Sequence, residues 1–213
     1  MAGTDPTPRE HWQDVYRRKP SDSVSWYAPH LDTSLALLAC AGLGPASRVI
    51  DVGGGASTLV DDLLARGVAA VTVLDLSDAA LAVSRQRLGE RAASVHWLAD
   101  DVRAAPLGEG VFDLWHDRAV LHFLTDPADA AGYVRQARRA LAPGGRLVIG
   151  GFAPEGPERC SGLPVARRAP RDVAALFGEG FELLEERREI HRTPGGSDQA
   201  FAWAVLARRP ARR

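Results

Sequence analysis

Three consecutive glycines follow a short apolar run and an aspartate in the first third of the chain. The segment VIDVGGGAS covers residues 49–57, with Asp51 in the run and Gly53, Gly54 and Gly55 close behind it. Glycine suits a position where the backbone turns tightly and a ligand approaches, because a side chain would collide there. We therefore expect this segment to form a strand, a ligand-binding turn and the start of a helix.

The pattern around these glycines indicates the kind of ligand. A dinucleotide turn has the pattern G-x-G-x-x-G/A, and Thr58 stands where its last small residue would be. A carboxylate at Asp51 favours a cationic amino-acid group over a pyrophosphate, which prefers bare amides at a helix N-terminus. S-adenosyl-L-methionine has such a cationic end, so the turn predicts this cofactor rather than NAD.

Two further acidic positions follow predicted strands and fit the rest of that ligand. Asp75, with Leu76 and Ser77 behind it, ends the second strand, and a carboxylate there accepts hydrogen bonds from both ribose hydroxyls. The third strand runs into Asp101 and Val102. We expect Asp101 to receive the adenine amino group and the Val102 amide to meet a ring nitrogen. The alternative is that these are only turn residues and surface acids.

Alternating short apolar runs and amphipathic segments position these residues, a pattern typical of a parallel sheet covered by helices. The predicted strands are 47–52, 70–75, 94–99, 111–116, 145–151, 181–190 and 199–207. The predicted helices are Thr7 to Arg18, Leu31 to Ala41, Ser57 to Arg66, Ser77 to Arg91, a short piece near Arg103, and Pro127 to Leu141. Only a turn (193–198) separates the last two strands, so we expect an antiparallel hairpin there. The fold class is α/β, with seven mostly parallel strands.

Length and composition exclude several classes of protein. The chain has 213 residues, 46% hydrophobic and 25% charged, which suits one domain over residues 1–213. It has neither a membrane-spanning apolar run nor a signal peptide, so we expect a cytoplasmic protein without a membrane partner. A formal net charge of −1 provides no basic surface, so we expect no nucleic-acid partner. Cys40 and Cys160 are too few for a disulfide framework or a metal finger.

The segments VIDVGGGAS, LDLS, ADDV, FDLWHDRAVLHFL and LAPGGRLVIGGF together resemble the successive motifs of class I S-adenosylmethionine-dependent methyltransferases. The stretch HDRAVLHF (116–123) is similar to that of the thiopurine S-methyltransferases and tellurite-resistance methyltransferases, and also of elongation-factor lysine methyltransferases. Ala119 stands where they have glycine. The resemblance implies a Rossmann-like fold with helices on both faces. In that fold residues 1–44 form an N-terminal helical lid, 45–152 the cofactor-binding core, and 153–213 the substrate-side loop and C-terminal strands.

The resemblance also implies that the donor sulfonium lies at the end of the fourth strand, beside Trp115, His116 and Asp117. Methyl transfer is a direct displacement, so the protein has to hold acceptor and methyl group in line and needs no nucleophile of its own. For an acceptor that needs a base, the candidates by residue type are His116, Asp117, His122 and His191. Asp117 is placed best, and its alternative role is to cap the segment that follows.

Aromatic residues precede the predicted core. Trp26 and Tyr27 lie between the two N-terminal helices, and in similar methyltransferases these helices fold over the cofactor as a lid that excludes water. We expect the two rings to cover the methionine end or the acceptor. The alternative is that Trp26 only anchors the helices on the sheet.

Residues 152–168 form a Gly/Pro-rich loop in the position from which such enzymes contact the acceptor. Cys160 lies in it, but a single thiol without ligand spacing makes a metal site improbable, and we expect none. His191 and Arg192 reach the same edge and could recognise an anionic acceptor, with a solvated loop as the alternative.

These observations predict an enzyme that converts S-adenosyl-L-methionine to S-adenosyl-L-homocysteine by methylating a small molecule. The absence of an added substrate domain favours a thiol, another soft nucleophile or a hydroxyl as acceptor. One alternative is a protein lysine or amine N-methyltransferase, which should have an open acidic groove. The others are a cofactor-binding protein without catalysis and a Rossmann oxidoreductase. The sequence carries no signal for an oligomeric state.

Overall fold

A mixed sheet forms the centre of the protein, whose computed structural model describes residues 6–210. Its strands are β1 (Arg48–Val52), β2 (Ala70–Asp75), β3 (Val95–Ala99), β4 (Phe112–Arg118), β5 (Leu141–Phe152), β8 (Phe181–Arg192) and β9 (Asp198–Arg208). Two further strands, β6 (Arg159–Cys160) and β7 (Leu163–Pro164), form a separate small hairpin. The helices are α1 (Pro8–Arg18), α2 (Asp32–Cys40), α3 (Leu59–Ala65), α4 (Asp78–Leu88), α5 (Pro127–Ala140) and α6 (Pro170–Phe177).

The sheet has the order β3-β2-β1-β4-β5-β9-β8. The first five strands in this order pair in parallel, whereas β9 pairs antiparallel with both β5 and β8. Asp51 lies in register with Val73 on one side and His116 on the other, so the carboxyl ends of β2, β1 and β4 meet at one edge. The predicted seven-stranded, mostly parallel sheet with an antiparallel C-terminal hairpin is confirmed.

Two apolar clusters cover the two faces of this sheet. In β1, Val49 packs into one cluster and Ile50 into the other, because successive strand residues point to opposite faces. The first cluster contains Leu38 of α2 and Leu63 of α3, and the second contains Tyr133 of α5. Both faces are therefore covered by helices, as predicted.

Local sequence explains where several helices begin. Thr7 caps α1 in a capping box with Glu10, and Ser77 caps α4 by accepting a hydrogen bond from the Ala80 amide. Asp126 caps α5 in the same way. The capped start of α4 directly follows the end of β2, so Asp75 has a defined orientation. No helix within residues 6–210 is long and apolar enough to cross a membrane.

The structure differs from the predicted elements at several places, one of which is the β6–β7 hairpin inside the segment predicted as a loop. The short helix predicted near Arg103 is wrong, because this segment is a turn closed by hydrogen bonds from two amides to the Asp101 carbonyl. The helix predicted over 77–91 ends at Leu88, since Gly89 adopts a left-handed φ of 57° that terminates it. Helix α6 was not predicted, although Pro170 at its first position is a common helix start.

Candidate cofactor and acceptor site

Two adjoining cavities lie at the carboxyl edge of the parallel strands. The larger has a volume of about 320 Å³ and the smaller of about 40 Å³. They share wall residues, among them Trp26, Gly53 and Arg118. We call the smaller one the recess and the larger one the main cavity.

A buried hydrogen-bonded chain lines the recess. His116 Nδ1 lies 2.7 Å from Asp51 Oδ1, and His116 Nε2 lies 3.0 Å from Ser34 Oγ. The second carboxylate oxygen, Asp51 Oδ2, is buried without a hydrogen-bond partner among residues 6–210. A buried carboxylate oxygen without a partner is costly, so this atom is suited to receive a cationic group from a ligand.

The glycine turn packs directly against two carboxylates. A Cβ atom at Gly54 would collide with the Asp51 carboxylate, and one at Gly55 would lie 2.6 Å from Asp75 Oδ2. Gly53 has a φ of 69°, and a Cβ there would collide with the Val120 side chain. The sequence therefore needs glycine at these positions because the turn is both left-handed and in close contact with its neighbours.

Asp75 ends β2 beside the main cavity. Its Oδ1 accepts a hydrogen bond of 2.8 Å from the Ser77 amide, and Leu76 also lines the cavity. Burial raises the pKa of Asp75 to about 7, even though the hydrogen bond from the Ser77 amide opposes the rise. Hydroxyl donors at this carboxylate would replace the water that burial has removed.

Asp100, Asp101 and Val102 all line the main cavity at the end of β3. The Asp101 carboxylate is already held by Arg103, whose Nε lies 2.9 Å from Oδ1 and whose Nη2 lies 2.5 Å from Oδ2. This contact lowers the pKa of Asp101. Arg103 also pairs with Asp129, so Asp101 is positioned by an ion pair that sequence patterns did not indicate.

Asp117 points away from both cavities. It is fully buried, and its carboxylate accepts hydrogen bonds from the Val120 amide at 2.7 Å, the Leu121 amide at 3.0 Å and the Tyr133 hydroxyl at 2.7 Å. Burial raises the pKa of Asp117 to about 6. This geometry matches the capping role that was the alternative to a base.

The two other histidines proposed from sequence also lie outside the cavity walls. His122 packs against Phe152, at 5.0 Å between ring centroids, and burial lowers its pKa to about 3. His191 donates a hydrogen bond of 2.8 Å from Nε2 to the Ser25 carbonyl, and burial lowers its pKa. Both rings therefore support the wall rather than face the space inside.

Aromatic side chains from the N-terminal segment roof the main cavity. Trp12 and Tyr16 of α1 stand one helical turn apart and pack against Trp26, with centroid distances of 5.7 and 6.2 Å. Gln13 Oε1 accepts hydrogen bonds of 3.0 Å from Ser77 Oγ and from the Ala79 amide, which ties α1 to the start of α4. Trp26 lines both cavities, and Tyr27 lines only the recess.

Cys160, in the small β6–β7 hairpin, lines the main cavity. Burial raises the pKa of its thiol to about 11, so the neutral thiol predominates near neutral pH. Within residues 6–210 no group of three or more His, Cys, Asp or Glu side chains is arranged to hold a metal ion.

Sequence patterns did not indicate four residues of the cavity walls. Trp12 and Tyr16 have the four-residue spacing of one helix face, a signal that could have assigned them to the lid. Arg118 and Gln199 line the main cavity from β4 and β9. No periodicity distinguishes them from surface residues, because their orientation depends on the packing of distant segments.

Comparison with known proteins identifies the domain. A protein-family model described as a methyltransferase domain matches residues 49–145. The chain is 35% identical over 166 residues to a ubiquinone/menaquinone biosynthesis C-methyltransferase of Methylobacterium nodulans, covering 74% of this chain and 63% of that protein. It is 37% identical over 109 residues to an uncharacterized methyltransferase of Synechocystis, covering 50% and 48%. The chain thus spans less than two thirds of either relative.

A solved structure supports the same assignment at the level of the fold. The 1,6-didemethyltoxoflavin-N1-methyltransferase of Burkholderia thailandensis, solved with 1,6-didemethyltoxoflavin and S-adenosylhomocysteine, superimposes with a TM-score of 0.73 at 23% identity. The superposition covers 98% of this chain and 93% of that one. The fold is therefore that of this solved methyltransferase, and residues 49–145 match the model of a methyltransferase domain.

Proposed function

We propose that this protein transfers a methyl group from S-adenosyl-L-methionine to a small molecule bound in the main cavity. The observation that carries the proposal is the unpaired Asp51 Oδ2 in the recess beside the glycine turn. It supplies an acceptor for the methionine ammonium, next to a cavity large enough for further groups. Bound S-adenosyl-L-methionine supplies an electrophilic methyl group and releases S-adenosyl-L-homocysteine.

The surrounding residues support a complete cofactor site. In our proposal Asp75 accepts the ribose hydroxyls, while Asp101 and the Val102 amide face the adenine. The glycine turn brings its backbone close to the methionine end. Trp26 and Tyr27 then cover that end, and helix α1 acts as a lid that excludes water.

The acceptor we propose is a thiol or another soft nucleophile, as the similarity of residues 116–123 to the thiopurine and tellurite-resistance enzymes implies. Of the four candidate bases, Asp117, His122 and His191 line neither cavity, and His116 is engaged by Asp51. An acceptor that is already nucleophilic, such as a thiolate, needs no base. A lone pair of the acceptor forms the new bond to the methyl carbon. The bond between that carbon and the sulfonium sulfur of the cofactor breaks, and its electron pair stays on the cofactor sulfur.

A small acceptor is favoured over a protein side chain because aromatic rings roof the main cavity. Trp12 and Phe123 approach to 5.1 Å between ring centroids across this roof. A lysine methyltransferase needs an open groove for its protein substrate, whereas aromatic rings of the N-terminal segment line this cavity.

The test is to incubate the protein with methyl-labelled S-adenosyl-L-methionine and a cell extract, and to separate volatile, small-molecule and macromolecular label. With wild-type protein and with the surface control Asp14→Asn, we expect label in the volatile and small-molecule fractions. With Asp51→Asn, we expect this label to be lost. Label on protein would contradict a small-molecule acceptor. Binding of NAD without binding of S-adenosyl-L-homocysteine would contradict the cofactor, and absence of transfer despite cofactor binding would contradict the activity.

A further inference from the structure

Arg118 is a cation in the cavity wall without an anionic partner. Its Nη1 donates a hydrogen bond of 2.8 Å to the Trp26 carbonyl, and its Cζ lies 4.9 Å from the centroid of the Phe201 ring. No carboxylate of residues 6–210 lies within 4.0 Å of its guanidinium nitrogens. A guanidinium carries five N–H donors and stays charged in proteins, so most of its donors are available to a ligand.

Arg118 lines both the recess and the main cavity, and two of its neighbours line the main cavity alone. Phe201 of β9 and Cys160 of the small hairpin line the main cavity but not the recess that contains Asp51. Burial lowers the pKa of Arg118 because it removes water from the guanidinium, and the more distant charges of Glu189 and Asp51 oppose this shift. A buried charge is tolerated best when a counter-ion accompanies it.

Gln199 provides a second polar group at the same end. It lies two residues before Phe201 on β9, so both side chains point to one face of the sheet. Its Oε1 is buried without a hydrogen-bond partner among residues 6–210, and the residue lines the main cavity. Aromatic rings also line the main cavity, and the Phe152 ring packs against Phe201 with a centroid distance of 5.1 Å.

We propose that the main cavity binds a small planar acceptor whose anionic oxygen group, a carboxylate or an ionised ring hydroxyl, pairs with Arg118. A hydrogen-bond donor on the same molecule meets Gln199 Oε1, and the aromatic walls cover its faces. This inference rests on the proposed methyl transfer and adds the charge and shape of the acceptor to it. The carboxylate of the methionine group of the cofactor could also reach Arg118, so the experiment has to separate the two.

The experiment uses two probes that differ in charge, 4-hydroxybenzoate and 4-hydroxybenzamide, titrated calorimetrically into protein saturated with S-adenosyl-L-homocysteine. We expect wild type to bind the benzoate at least about tenfold more tightly. Arg118→Gln should lose this preference while its affinity for S-adenosyl-L-homocysteine stays within about threefold of wild type. The matched control Arg171→Gln, whose side chain is 84% exposed, should keep this preference.

A second variant makes the result independent of the folding of Arg118→Gln. Gln199→Glu puts a competing carboxylate at the site, so it should weaken benzoate binding by about tenfold or more and leave benzamide binding nearly unchanged. Equal binding of the two probes by wild type, or no binding of the benzoate at millimolar concentration, would overturn the inference.

A separate titration compares the affinity for S-adenosyl-L-homocysteine with that for 5′-methylthioadenosine, which lacks the amino-acid end. If Arg118→Gln weakened only the former by about tenfold, Arg118 would belong to the cofactor carboxylate and the inference would be overturned. Failure of wild type to bind S-adenosyl-L-homocysteine would instead overturn the proposed function itself, and this inference with it.

Discussion

His116 holds Asp51 in one orientation: its Nδ1 lies 2.7 Å from Asp51 Oδ1, which leaves Asp51 Oδ2 unpaired among the described residues. The two residues lie opposite each other on neighbouring parallel strands. The imidazole therefore acts on any ligand of Asp51 through the position of the carboxylate.

The first prediction concerns this pair. Asp51→Asn should weaken binding of S-adenosyl-L-homocysteine by about 1.5–3 kcal/mol, since it removes a charge-assisted hydrogen bond to the ligand ammonium. His116→Ala should weaken it less, because the carboxylate remains but becomes free to rotate. Ser34→Ala, one step further away, should have the smallest effect. Calorimetric titration measures all three, and wild-type affinity in Asp51→Asn would remove this carboxylate from the site.

Cofactor binding should depend on pH through Asp75. Hydroxyl donors favour its ionised form, and burial raises its pKa to about 7 in the free protein. The affinity for S-adenosyl-L-homocysteine should therefore fall as the pH decreases below 7, approaching about tenfold per pH unit. Asp75→Asn should bind weakly with no such dependence. A constant wild-type affinity between pH 6 and pH 8 would contradict a ribose contact at this carboxylate.

The same residue should lower the stability of the ligand-free protein. Because the folded-state pKa of Asp75 lies above the ordinary aspartate value of 3.8, the folded state binds its proton more tightly than the unfolded state. Its destabilising effect therefore appears as the pH rises above about 4 and is complete above about 7. Asp75→Asn should raise the free energy of unfolding by about 1–3 kcal/mol at pH 8 and change it little near pH 4. Thermal denaturation without ligand at the two pH values measures this, and an equal shift at both would contradict it.

Asp117 should be needed for stability rather than for proton transfer. Both of its oxygens accept hydrogen bonds from buried donors, so the amide group of Asp117→Asn would direct N–H groups at other donors. We expect a loss of about 2–4 kcal/mol in the free energy of unfolding. Tyr133→Phe removes one donor to Asp117 and leaves the buried Trp115 indole N–H, 2.8 Å from the Tyr133 hydroxyl, without its acceptor, so it should cost about 1–3 kcal/mol. A variant Asp117→Asn with unchanged thermal stability but a lost acidic limb in its pH–rate profile would instead support a role as base.

Ala119 should carry backbone strain. Its φ is 73°, a left-handed conformation in which a Cβ atom is unfavourable. Ala119→Gly should increase the free energy of unfolding by about 1 kcal/mol. The same change at the exposed helical residue Ala82 should decrease it by about 1 kcal/mol. Urea denaturation compares the two, and destabilisation by Ala119→Gly would show that the strain is absent.

Sequence alone determined the sheet and the positions of the cofactor loops. The glycine turn, Asp75 and Asp101 follow apolar runs at intervals that parallel strands and crossover helices require. Such patterns are local, because the alternating or continuously apolar residues of a strand can be recognised without knowledge of the segments that pack against it. The antiparallel end also followed from a local feature, the short turn at 193–198.

Only the tertiary structure decided which of the candidate side chains face a cavity. Asp117, His122 and Asp51 are all buried and polar, yet only Asp51 lines a cavity wall. The difference arises from contacts between distant segments, such as Tyr133 with Asp117. The same holds for Arg118, whose partners Trp26 and Phe201 lie far from it in sequence. Residue type and spacing predict a helix or strand and the sheet edge at which a strand ends. The direction of a side chain depends on how these elements pack.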